Sequence, residues 1–343
     1  MTRTTPARPV DIEALFPQLS DYRAIGTRLH PRPGVPSAKQ SSVGGPFLWP
    51  ADEPWPVCVE PHPRDTGLRP QDVRERRRIL AEAWSRQPGP DGRRGPTDEE
   101  IARLTALEAT HHVPGLRNTD PIPLLPLAQL FRHEVPGLEG PAGHDLLQIF
   151  WCPFDAHGDG RHDLSVQLYW RNSADVVQVL GNPPEPQVVG YEGYVPEPCV
   201  VDPEEVLEHQ YAELLPDELR EAIDAWDEQQ EEEAEEAEEE EWPAYQYDLS
   251  IPPGWKVGGF ASWNVTGPTQ LTCACGRTMK LLVTIDSKEW DNGSRSWVPI
   301  EDRAVIDTMD ANIPTHITVG RGGSLRIFVC PADPTHPHRI NLQ

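Results

Sequence analysis

The 343-residue chain has no long apolar run. No stretch approaches the 18 or more apolar residues of a membrane-spanning helix, which excludes a helical membrane protein. Its first residues, MTRTTPARPVDIEALF, lack the apolar segment of a secretory signal, so a cytoplasmic location is expected. Positive charge is scarce: 30 Lys and Arg stand against 55 Asp and Glu, a net charge of -25. Such a chain repels nucleic acid and anionic membrane and favours a basic protein partner. Hydrophobic residues make up 37%, below the roughly 45–50% usual for globular chains. With 39 prolines and 26 glycines, many turns and few long helices are expected. There is no G-x-S-x-G, no P-loop and no H-E-x-x-H, so no familiar nucleophile, phosphate cradle or metalloprotease motif. Cysteine numbers six, and in a reducing compartment these read as thiols or metal ligands rather than disulfides.

What is present reads as a β-rich α+β chain in four parts. Residues 1–40 form a helical lead-in, with VDIEALFPQLSDYR as a short amphipathic helix. Residues 41–200 form a first β-rich repeat, interrupted at about 63–121 by a helical insertion. Inside that insertion Val73, Ile79, Leu80 and Trp84 recur at helical spacing, and Thr97 with Glu100 makes a capping box. Residues 201–248 are an acidic helix or linker, with helix expected over 203–229 and 11 acids in the 15 positions 227–241. Residues 249–343 form a second β-rich repeat. Strands are expected at 122–131, 145–152, 164–170, 176–180, 256–263, 279–285, 297–300 and 324–330.

The repeat rests on four anchors in the same order. Val43-Gly44-Gly45 with Trp49 matches Val257-Gly258-Gly259 with Trp263 at an offset of 214, and Cys58 faces Cys273 at 215. LLPLAQL (124–130) matches MKLLVTI (279–285) at 155, and LLQIFWCPFD (146–155) matches SLRIFVCPAD (324–333) at 178. The fall in offset corresponds to about 60 extra residues in the first half, the length of the insertion. Two such units, each with an apolar sheet face, would bury both faces by pairing them.

The repeat also organises the cysteines. Zinc takes four soft or borderline ligands from short rigid turns. Cys273 and Cys275 offer one turn, and Gly276 suits its tightness; Cys330 with His336, or alternatively His338, offers the other. The matching first-half set is Cys58, His62, Cys152 and His157. Four protein ligands leave no open coordination position, so a zinc there is structural. The plainer alternative is a set of buried thiols and surface histidines. Cys199 has no partner in this scheme and reads as core.

SSVGGPFLWPADEPWP, PLLPLAQLF…DLLQIFWCPFD and GWKVGGFASW…CACGRTMKLLVTI…EWDNG together resemble the YwqG-like proteins, a bacterial group carrying a domain of unknown function. More distantly they are similar to the C-terminal domain of the eukaryotic programmed cell death 2 proteins. The resemblance covers about residues 40–60 and 120–343. It implies a duplicated, two-lobed β-rich α+β fold and brings no catalytic residues. It also implies roles of two kinds: chaperoning of ribosomal proteins in the eukaryotic relatives, and immunity to toxins among the bacterial ones. The Cys-x-Cys spacing and the histidine-bearing C-terminal turn depart from the eukaryotic cysteine pattern.

Together these features point to a non-catalytic, zinc-stabilised protein-binding module, a chaperone or immunity-type protein for a basic partner. The alternative is an enzyme or RNA-processing factor acting on RNA. For it stand Asp155, His162 and Asp163 near Cys152, and the arginine-rich stretch RERRR at 74–78. Against it stands the near balance of acids and arginines in that segment. Trp49, Trp55 and Trp263 are candidates for a binding groove, although tryptophans in such loops more commonly anchor a core.

Overall fold

The computed structural model describes residues 2–87, 94–155, 157, 164–238, 242–263 and 265–343. In chain order the strands of the first half are β1 (Arg23–Arg28), β2 (Arg32–Pro33), β3 (Ser42–Val43), β4 (Val57–Cys58), β5 (Thr66–Gly67), β6 (His111–His112), β7 (Ile122–Pro123), β8 (Leu125–Phe131), β9 (Leu146–Trp151) and β10 (Val166–Arg171). There follow β11 (Cys199–Val200), β12 (Glu204–His209), β13 (Lys256–Gly258), β14 (Lys280–Asp286), β15 (Ser324–Val329) and β16 (Arg339–Leu342). The α-helices are α1 (Ile12–Leu15), α2 (Pro70–Ser85), α3 (Asp98–Leu107) and α4 (Asp217–Glu236). None is long and apolar enough to cross a membrane. The chain is thus a mixed α+β protein built on antiparallel sheets.

Two six-stranded sheets form its body. One runs β2-β11-β3-β8-β9-β10, the other β12-β1-β13-β14-β15-β16. Their last four strands follow the same order, and their registers coincide. Val43 pairs with Ala128 as Val257 pairs with Val283. A bulge lies between Pro126 and Ala128 in one sheet and between Leu281 and Val283 in the other, 155 residues apart at both positions. Across the bulges Phe150 and Ile149 occupy the places of Phe328 and Ile327, 178 residues apart. A bulge reorients the strand, so sharing one at the same offset gives both sheets the same local twist.

A single apolar core joins the sheets. Val43, Leu127, Leu147, Ile149 and Trp151 from one meet Val257, Val283, Ile285, Leu325 and Ile327 from the other, none more than 1% exposed. Removing these side chains from water is the main favourable term holding the two sheets together. The insertion packs on the outside through Val73 and Ile79 of α2 and Leu104 of α3. The Thr97–Glu100 capping box is present in both directions.

Several expected elements are different. Residues 23–28 are a strand, not part of a helical lead-in. Helix α1 ends before Pro17, and β1 then inserts between β12 and β13. Gly26 permits this, because a Cβ there would collide with the carboxylate of Glu208. Residues 204–209, expected as helix, form β12, which carries that buried Glu208 to Lys256 Nζ at 2.5 Å and Phe260 N at 2.8 Å. The strand expected at 297–300 is replaced by 3-10 turns at Asn292–Trp297 and Ile300–Val305, separated by Pro299, which has no N–H to give a ladder. The strand expected at 256–263 stops at Gly258, where Gly258 and Gly259 both take φ +66°. Of 176–180 only Val179 makes a bridge, to Pro50. The acidic run extends helix α4 to Glu236; positions 239–241 lie outside the described residues, as does most of the expected turn at 88–96.

Candidate metal centres

The first cluster is assembled from the two loops that leave β4 and β9. Cys58 ends β4, paired to Ile122 of β7, and Cys152 follows β9 with its amide on Ser165 O at 2.9 Å. His62 and His157 come from the turns that follow. Cys58 Sγ lies 3.4 Å from Nε2 of both histidines, and Cys152 Sγ lies 3.4 Å from His62 Nε2. The two imidazoles sit 4.2 Å apart, centroid to centroid. All four residues are buried. His62 Nδ1 faces Pro63 O at 3.1 Å, so its proton belongs there and Nε2 presents a lone pair to the thiols.

Arg64 shapes this loop, and nothing in its sequence context announces it. Its guanidinium is fully buried and donates to the carbonyls of Cys58, Glu60, His62 and Asp120. Five fixed N–H donors in a plane suit such a crossing of loops. Around the cluster pack Trp49, Trp55 and Phe150 in edge-to-face pairs with centroids 5.1–5.6 Å apart. Trp49 and Trp55, like Trp263, are therefore core anchors and not an open groove.

The second cluster uses the tight hairpin between Thr272 and Thr278 and the turn after β15. Gly276 takes φ +83° and its amide returns to Cys273 O at 2.8 Å, which folds Cys273 and Cys275 towards one point. Cys273 Sγ lies 3.4 Å from His336 Nδ1, and Cys275 Sγ lies 3.5 Å from Cys330 Sγ. Asp333 caps the turn through Thr335 N at 2.9 Å and Thr335 Oγ1 at 2.7 Å. His338 is elsewhere: its Nε2 faces Val166 O at 3.1 Å and links the two sheets. Cys199 is buried in the main core, its thiol on Pro314 O at 3.2 Å.

In each cluster the four ligand atoms lie within 4.8 Å of one another. A tetrahedron with arms of about 2.3 Å to sulfur and 2.0–2.1 Å to nitrogen has edges of roughly 3.4–3.8 Å. The contacts of 3.4–3.5 Å match that size, and both clusters can hold a metal ion. The thiols also share charge unequally. The hydrogen bond from Cys152 pulls Cys58 down against burial, aided by His157, His62 and the Glu60 amide. The same bond, with burial, pushes Cys152 up. At Cys330 burial opposes ionisation, but the amides of Asp333 and Ala332 and the neighbouring His336 and Cys275 bring it down to about 6.

Of the other candidates, Asp155 is exposed, while His162 and Asp163 lie outside the described residues. The arginines of α2 are engaged within the molecule. Arg74 meets Glu185, Arg76 meets Glu108 and Glu192, and Arg78 meets Glu75 and Glu82. Arg77 donates to the carbonyls of Val195 and Glu192 at 2.7 and 2.8 Å. No protein-family model matches the chain, and no curated protein matches it.

Proposed function

We propose that the chain is a non-catalytic, zinc-stabilised protein-binding module of the YwqG-like kind, serving a basic partner as a chaperone or immunity-type protein does. The observation that carries the metal reading is the pair of four-ligand Cys/His clusters, each drawn from two separated loops. Thiolate and imidazole in fours are the donor set of structural zinc, and a filled tetrahedron leaves no site for a reacting water. The matched strand order, register and bulges support descent of both sheets from one duplicated unit.

Charge and shape support the basic partner. A groove of about 880 Å³ beside α4 is lined by the carboxylates of Asp227, Glu228, Glu231 and Asp248 and the rings of Trp242 and Tyr247, with Arg295 and Arg303 as its two cations. Pro9 also lines the groove, and beside it the chain's own N-terminal segment displays the chemistry. Arg8 lies over the Trp297 ring, 3.4 Å from its centroid, and donates to Asp248 O at 3.0 Å and Ser296 O at 3.1 Å. An arginine stacked on an aromatic ring and held by carbonyls is how an extended basic segment would engage the neighbouring acidic wall. An RNA-directed role has less support, because Arg74, Arg76 and Arg78 of α2 pair with carboxylates of the same chain and the net charge is -25.

The test is metal content by mass spectrometry on the native protein, beside Cys152→Ser and Cys330→Ser variants. Two zinc per chain, one lost in each variant together with thermal stability, is the expected result. A native protein without bound metal would overturn the reading.

A further inference from the structure

The two clusters differ in one respect that the repeat does not foresee, which is access. Cys58, His62, Cys152 and His157 are all buried. In the second cluster Cys273 and Cys330 are buried, but Cys275 is exposed, the one exposed cysteine of the six. It stands at the tip of the 272–278 hairpin. The next residue, Gly276, has no atom other than those of its chain neighbours within 4 Å of where its Cβ would be, so that side of the tip is open. Behind Cys275, 3.5 Å from its sulfur, lies the sheltered sulfur of Cys330.

We propose that this second cluster is an oxidant-sensitive modification site, with Cys275 as the reacting thiol and Cys330 as the thiol that resolves it, while the first cluster is inert. The oxidant is hydrogen peroxide. Its terminal oxygen is attacked by the Cys275 thiolate: an S–O bond forms, the O–O bond breaks, and hydroxide leaves. The Cys330 thiolate then attacks the sulfenic sulfur. An S–S bond forms, the S–O bond breaks, and a second hydroxide leaves. The two sulfurs give up two electrons, and with two protons from solvent the peroxide becomes two waters.

The geometry selects this pair over the others. A disulfide needs the sulfurs to close to about 2.05 Å, and those of Cys275 and Cys330 already lie 3.5 Å apart on two different loops. Cys273 and Cys275 are separated by one residue on a tight turn, which strains a bridge between them. Cys273 is also buried and faces His336 at 3.4 Å. Forming the Cys275–Cys330 bond removes two of four donors. Cys273 and His336 remain, too few for a closed tetrahedral site, and the ion leaves. Metal release rests on the zinc reading above; the selective thiol chemistry does not.

The experiment treats the full-length, metal-loaded protein with a small molar excess of hydrogen peroxide. Released zinc is followed with a colorimetric chelator, and disulfides are mapped by peptide mass spectrometry. The expected result is release of one of two zinc equivalents, a Cys275–Cys330 peptide short of two hydrogens, and reversal by dithiothreitol. Cys275→Ser should form no disulfide at Cys330 and keep the first cluster's zinc under the same dose. Equal loss from both clusters, a Cys58–Cys152 bridge, or full retention of both ions overturns the proposal. If the purified protein holds no metal, the zinc reading fails, and a selective Cys275–Cys330 bridge still supports the thiol inference.

Discussion

At the scale of single residues, the buried polar groups report how the second sheet is held. His30 is buried with φ +43°, its Nε2 3.1 Å from Glu204 and with Arg28 and Arg32 beside it. Burial, then the Arg28 charge, lowers its pKa to about 4 despite the Glu204 hydrogen bond. The unfolded chain therefore takes up a proton near pH 6.5 that the folded chain refuses until about pH 4. The neutral histidine contributes its full stability above pH 6.5, and that stability is lost as pH falls through this window, on the order of 3 kcal/mol in all. Glu289, raised to about 7 by burial, acts with the opposite sign, and Glu204 is held low partly by His30, so the difference between a variant and the parent reports the His30–Glu204 pair. His30→Asn tolerates the left-handed backbone and has nothing to titrate. Its urea midpoint should fall less than the parent's between pH 6.5 and pH 4. Parallel pH profiles would show that His30 is not the group responsible.

At the scale of elements, residues 3–8 behave as a strap. Arg3 pairs with Asp302 at 3.0 Å, Thr4 N donates to Glu301 at 2.9 Å, Thr5 N donates to Glu204 at 2.9 Å, and Arg8 closes on Trp297. Arg8→Ala loses a stacked cation and three hydrogen bonds to the carbonyls of Pro6, Asp248 and Ser296. The loss expected in urea denaturation is about 1–3 kcal/mol. A change of only a few tenths would mean that the strap rests on the surface without holding it. The matching offsets of the two sheets were legible at this scale, because the bulge and the Cys-Pro turn carry similar residues at the same spacing in both halves. The strap was not, because apart from Arg28, and Pro6 within the strap itself, the partners named for it lie from 199 to 299 residues away.

At the scale of the whole molecule, a net charge of -25 and the acidic wall of α4 predict salt-dependent association. An arginine- and lysine-rich synthetic peptide should bind at low ionic strength and weaken steadily as salt shortens the range of the field. Glu228→Lys with Glu231→Lys should reduce that binding several-fold without changing metal content. Binding indifferent to salt and to this charge reversal would exclude the α4 groove as the docking surface.

The donor residues and their spacing were properties of the sequence itself. Cysteine and histidine keep their identity whatever the fold, and the similar Cys-Pro frames at Cys152 and Cys330 suggested which residues to compare. The choice between His336 and His338 was different. It depended on which imidazole the turn after β15 directs at Cys273 and which at Val166, 172 residues from His338. The strand at 204–209 was also hidden. Its exposed Leu207 and buried Glu208 invert the usual pattern, and Lys256 and the Phe260 amide, brought alongside by the sheet, make that burial tolerable. Exposure of Cys275 was decided last of all, because access to a sulfur is set by what the completed fold leaves uncovered.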